Sequence, residues 1–145
     1  MTTITLIGVG AALLLCGEAF AAEPIGKWYT AENRAQVRIV PCGHNNLCGD
    51  IVWLKESKDP QTGKPKTDIN NPDSAKRNRP LIGVRIVLGL TPSNTPDKWQ
   101  GQVYNADDGR TYNGYLTMTS ANTLKLQGCV LGGIFCKSQD WTRAR

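Results

Sequence analysis

The stretch from Trp99 to Cys129, WQGQVYNADDGRTYNGYLTMTSANTLKLQGC, decides the fold. Apolar and polar residues alternate through it with a period of two, the period of a strand that buries one face. Asp108-Gly109 marks a hairpin turn, because glycine supplies the positive φ that such turns need. Three consecutive strands follow: Trp99 to Asn105, Thr111 to Thr119 and Thr123 to Cys129.

Working outward, the same alternation predicts Gly26 to Thr30, Ala35 to Cys42, Cys48 to Leu54 and Ile82 to Leu90 upstream, and Phe135 to Arg143 downstream. A short helical turn at Asp73 to Asn78, after Asn71-Pro72, is the only helical candidate. An open meander of eight strands would leave two bare edges, which closure removes. The expectation is an all-β chain: a single eight-stranded antiparallel up-and-down barrel with one long loop, Lys55 to Leu81, between strands 3 and 4. A two-sheet sandwich is the competing architecture. Eight strands enclose an interior that side chains fill or that holds one small ligand.

The chain begins MTTITLIGVGAALLLCGEAFAA. An apolar run from Ile4 to Leu15 followed by Ala19-Phe20-Ala21 reads as a signal peptide over residues 1–22, leaving a barrel domain at 23–145. The rival reading is a lipobox at Cys16, in which Leu15 is large where a small residue is wanted. The net charge of +5 rises to +6 once Glu18 leaves with the leader. Such a balance attracts anions and permits weak association with an anionic membrane surface. A periplasmic or secreted location makes nucleic acid an unsuitable partner, and no transmembrane span is expected. Oligomeric state is not legible.

Four cysteines remain in the domain, Cys42, Cys48, Cys129 and Cys136. Each antiparallel connection reverses direction, so the odd-numbered connections share one end of the barrel. The Cys42 to Cys48 turn then lies at one end and the Cys129 to Cys136 turn at the other. Pairing across them would span the barrel, which disulfide geometry forbids. Of three possible connectivities only the local one fits, each bridge contributing about 2 kcal/mol on the chain-entropy account.

Gly26-Lys27-Trp28, Leu47-Cys48-Gly49 with Ile51-Val52-Trp53-Leu54, Asn71-Pro72-Asp73, Arg79-Pro80-Leu81, Trp99-Gln100-Gly101 with Tyr104, Gly109 with Tyr112, Gly128-Cys129 and Trp141-Thr142-Arg143 are each weak signals alone, but their order is specific. In these the chain resembles the DUF2147 family, exported bacterial proteins with a lipocalin-like barrel. The resemblance implies a calyx closed by a structural cluster of Gly26, Trp28, Trp141 and Arg143, the guanidinium packed on the Trp28 indole, and open beneath the long loop. It implies no particular ligand.

Catalytic machinery is absent from the pattern. The single histidine, His44, sits apart from any serine or carboxylate arrangement that a triad needs, and no nucleophile elbow, P-loop or zinc-protease helix occurs. Asp68 and Asp73 are the loop carboxylates closest to a site. Cys42, His44 and Cys48 would suit a soft metal only as free thiols. Asn105, Asp107 and Gly109 lack the downstream Glu of a calcium loop. No enzyme activity, metal or cofactor is expected.

Strand alternation turns Val37, Ile39, Ile51, Trp53, Val84, Ile86, Leu88, Val103, Tyr112, Leu116, Met118, Leu124, Leu126, Phe135 and Trp141 inward. Of these Trp53, Val84, Ile86, Val103, Tyr112 and Phe135 fall toward the open end and are the candidate ligand-binding residues. Arg79 joins them, from a loop carrying seven basic and four acidic residues between Lys55 and Arg79, to meet an anionic head group. The expected function is a carrier or sensor of a small apolar or amphipathic, anionic molecule. The alternative is an envelope-associated interaction module with a solid barrel and no ligand.

Overall fold

The computed structural model describes Ala12 and residues 23–145. Apart from Ala12, the expected signal peptide lies outside the described residues. Eight antiparallel strands close into one barrel in chain order: β1 (Gly26–Tyr29), β2 (Ala35–Cys42), β3 (Asn46–Leu54), β4 (Arg85–Pro92), β5 (Lys98–Asn105), β6 (Arg110–Ser120), β7 (Thr123–Val130) and β8 (Phe135–Arg143). The sandwich alternative is therefore set aside. The expected helical turn is a single 3-10 turn at Ser74–Lys76, capped by the Asp73 carboxylate on the Ala75 N–H.

The half of the barrel away from the long loop is packed solid. Trp28, Val37, Ile39, Val87, Leu90, Leu116, Leu124 and Trp141 are buried there. Glycine lets the strands approach: a Cβ at Gly49 would sit 2.9 Å from the Val87 side chain. Arg143 seals this end. Its guanidinium lies 4.3 Å over the Trp28 ring and donates to the carbonyls of Ala121, Ile25 and Glu23. The Trp28 indole N–H donates to Pro24, so the buried ring leaves no polar atom unpaired. Gly26, at φ +130° and with the guanidinium nitrogen 3.0 Å from where a Cβ would stand, makes room for the arginine.

Besides a one-residue shift at Thr119 near the end of β6, two strands depart from simple alternation. In β3, Gln36 pairs with Trp53 but Val37 pairs with Ile51, so Val52 is an inserted residue. Such a bulge flips every later side chain to the other face. Trp53, expected inward, consequently stands on the outer wall, 39% exposed and packed edge-on against Tyr29. Leu54 takes the inward position. In β4 the registers Gly49 to Val87, Asp50 to Arg85, Leu47 to Leu90 and Cys48 to Leu88 insert Ile86 and Gly89. Leu88, expected inward, points out, whereas Val87 and Leu90 enter the core. The strand also starts later than alternation predicts, placing Val84 in the turn before it; Val84 is buried there.

The long loop lines the mouth only at Lys55, Glu56, Lys66 and Leu81. Asp68 is fully buried and accepts hydrogen bonds from Tyr104 (2.7 Å), Asn71 (2.8 Å) and Arg79 (2.8 Å). Tyr104 faces outward between the inward-facing Val103 and Asn105, so residues 68–79 strap down the outside of the barrel wall. Asn70 donates to the carbonyls of Ala106 and Asp107 and presses on Gly109, where any side chain would run into its carbonyl.

Candidate functional site

Above the packed half the barrel is hollow. A cavity of about 1100 Å³ opens at the end built by the first, third, fifth and seventh connections. Trp141 and Leu126 form its floor, and Ile51, Ile86, Val103 and Tyr112 its apolar walls. Of the sequence-predicted residues, Ile86, Val103, Tyr112 and Phe135 meet here. Trp53 and Val84 do not line it, for the reasons of register given above. Arg79 does not either, because its guanidinium is committed to Asp68 on the outer wall. Trp141, assigned to the closed end, serves both halves: it is buried in the core and floors the cavity.

The inner face of β8 is polar. Reading upward from Trp141, the inward positions are Gln139, Lys137 and Phe135, and the Trp141 indole N–H donates to Gln139 at 2.8 Å. This row was legible in the sequence by counting back in twos from Trp141, but a search for apolar residues passes over it. Leu54 and Ala35, paired across β2 and β3, were hidden by the bulge at Val52.

Charges ring the mouth. Arg34 pairs with Asp107 at 3.3 Å and Lys66 with Glu56 at 3.7 Å, both exposed and so of small energetic weight. Lys55, Arg110, Lys137 and Glu32 also line the opening, as does Asp108. None of these makes an ion pair among the described residues. The Tyr112 hydroxyl donates to Asp108, and that bond raises its pKa above the ordinary tyrosine value.

The wall is incomplete on one side. β1 and β8 share only two rungs, Trp28 with Arg143 and Tyr29 with Thr142. From Phe135 to Asp140 every residue of β8 is exposed, and the cavity opens sideways toward the 3-10 turn at Ala31–Asn33.

Both expected bridges are present, with Cα atoms 5.8 Å apart for Cys42–Cys48 and 4.1 Å for Cys129–Cys136. The Cys42 and Cys48 sulfurs are therefore unavailable as thiolates to a metal beside His44. Among the described residues no cluster of metal-ligating side chains occurs, and no helix is long and apolar enough to cross a membrane.

An eight-stranded calyx, plugged by tryptophan and arginine below and hollow above, is lipocalin-like. A solved structure shares it: protein HP1028 from Helicobacter pylori, described as belonging to the lipocalin family, matches at TM-score 0.69 and 23% identity over 86% of this chain and 84% of that one. The chain itself belongs to DUF2147, a family of uncharacterised proteins conserved in bacteria, whose model matches residues 26–143. No curated protein matches it.

Proposed function

We propose that this protein is a periplasmic or secreted carrier or sensor that captures a small amphipathic, anionic molecule in the open half of its barrel. The observation that carries the reading is the cavity itself, apolar at its floor and along the walls outside β8, with three cations at its opening, Lys55, Arg110 and Lys137, that make no ion pair among the described residues. An apolar chain packed against Trp141, Leu126 and Ile86 gains about 0.8 kcal/mol per buried methylene. Its anionic head meets Lys137, Lys55 and Arg110, of which Lys137 reaches furthest down the wall. Capture is at equilibrium, with no bond made or broken. A barrel solid throughout, as the interaction-module reading requires, fits the lower half only.

Native mass spectrometry of protein purified without detergent tests the proposal, together with tryptophan fluorescence across a panel of fatty acids. Bound mass, or quenching and shift of the Trp141 emission, is the expected result. A clean apo mass with no fluorescence response to any member of the panel would sink it. Lys137→Met should weaken binding of a fatty acid about five- to tenfold, a typical worth for one charge-assisted contact, while leaving the corresponding fatty alcohol unaffected. Equal effects on both would remove the anionic part of the reading.

A further inference from the structure

The turn between β7 and β8 reads Val130-Leu131-Gly132-Gly133-Ile134-Phe135. It contains no polar side chain, yet it is exposed: Val130 by 41%, Leu131 by 69%, Ile134 by 77% and Phe135 by 62%. Isolated exposed apolar residues are ordinary, but four in one tip are not. The Cys129–Cys136 bridge clamps the base of the tip, so these side chains cannot fold back by unzipping the hairpin. Leu131 is itself held at φ +54°, a conformation unfavourable for a bulky residue. Val130 and Phe135 also line the cavity, so apolar surface runs without a break from the tip to the inner walls.

We propose that this hairpin tip inserts into the interfacial region of an anionic lipid bilayer. Its shape selects the occupant. A stable protein interface needs roughly 800 Å² per partner of complementary surface, which a convex two-glycine tip does not offer, whereas a bilayer accepts a narrow apolar wedge. Charge agrees in sign: Lys137, two residues from Phe135, lines the opening beside Lys55 and Arg110, and the whole chain carries +5. Basic residues held near an anionic surface add to such binding. Docked this way, the mouth and the open flank of β8 lie against the membrane, and an amphipathic molecule passes over Phe135 without crossing water. Membrane contact does not depend on what the cavity holds, so the two readings stand or fall separately.

Flotation of the processed protein with vesicles of phosphatidylcholine and phosphatidylglycerol tests the proposal. The protein should float with mixed vesicles and much less with phosphatidylcholine alone. Leu131→Asp combined with Ile134→Asp should weaken flotation about tenfold or more, given two large apolar groups withdrawn from the interface. An unchanged melting temperature shows that the variant is folded, since both positions face solvent. Leu131→Trp supplies a second measurement: its emission should shift to the blue on mixed vesicles and be quenched by brominated acyl chains. Failure to float, flotation indifferent to the double variant, or a concentration-dependent dimer abolished by it would each overturn the assignment.

Discussion

The two stapled hairpins use one covalent device for opposite ends. Their cysteines are six and seven residues apart, and each bridge ties the ends of a two-stranded turn. The first encloses Gly43-His44-Asn45-Asn46-Leu47, polar at its tip and with Leu47 buried in the core. The second encloses Val130 to Phe135, apolar throughout and buried nowhere. A disulfide thus anchors a turn whose side chains already contribute to the fold in one case, and enforces the exposure of side chains that do not in the other. Buried packing is concentrated at the end sealed by Arg143, and the cavity opens at the end rimmed by Phe135.

Core substitutions should separate the two ends most sharply. Trp28→Ala removes the plug and should cost about 3–5 kcal/mol, whereas Phe135→Ala should stay within about 0.5 kcal/mol, as surface changes do. Urea unfolding measures both, and similar losses would erase the distinction. Next in size are the bridges. Replacing Cys42 and Cys48 by serine should lower stability by about 2 kcal/mol without altering ligand or vesicle binding. The same change at Cys129 and Cys136 should lower stability comparably and weaken both.

A smaller effect belongs to the outer strap. Burial pushes the Asp68 carboxyl up, but hydrogen bonds from Tyr104, Asn71 and Arg79 and the charge of Arg79 outweigh it and hold the pKa below its ordinary value of 3.8. The strap's contribution is therefore complete above that value and is lost as pH falls through the folded one. Tyr104 behaves oppositely. Burial and the bond to Asp68 push its hydroxyl up to about 12, so stability complete below 10.0 is lost on rising toward 12. Asp68→Asn should cost about 1–3 kcal/mol at neutral pH and flatten the acid arm of a stability profile, and Tyr104→Phe should flatten the alkaline arm. Profiles unchanged by either variant would mean that the strap contributes nothing.

Strand order, closure and both bridges were legible because they rest on a period of two and on the direction of each connection. The cavity wall was legible only where that period holds. One inserted residue at Val52 leaves no mark on a pattern of alternating side chains, yet it moves Trp53 out and Leu54 in. Ile86 and Gly89 do the same to Leu88, with Gly89 at φ +89° the one hint of a bulge. Loop position alone places Arg79 at the mouth; its partner Asp68 is fixed on the outer wall by Tyr104, 36 residues away, a pairing that local reading cannot supply. The apolar composition of Val130 to Phe135 was in plain view; its exposure was not.

The seam between β1 and β8 has a consequence for how the chain comes together. Every other pair of neighbouring strands is also consecutive in sequence, joined by a short turn except across the long loop between β3 and β4. The last pair joins residues 28 and 143 through two rungs and one guanidinium, and closing so long a loop carries the largest entropic cost in the molecule. The first strand synthesised waits on the last. A chain stopped short of Arg143 would have seven paired strand neighbours and two open edges, the form most apt to pair with copies of itself.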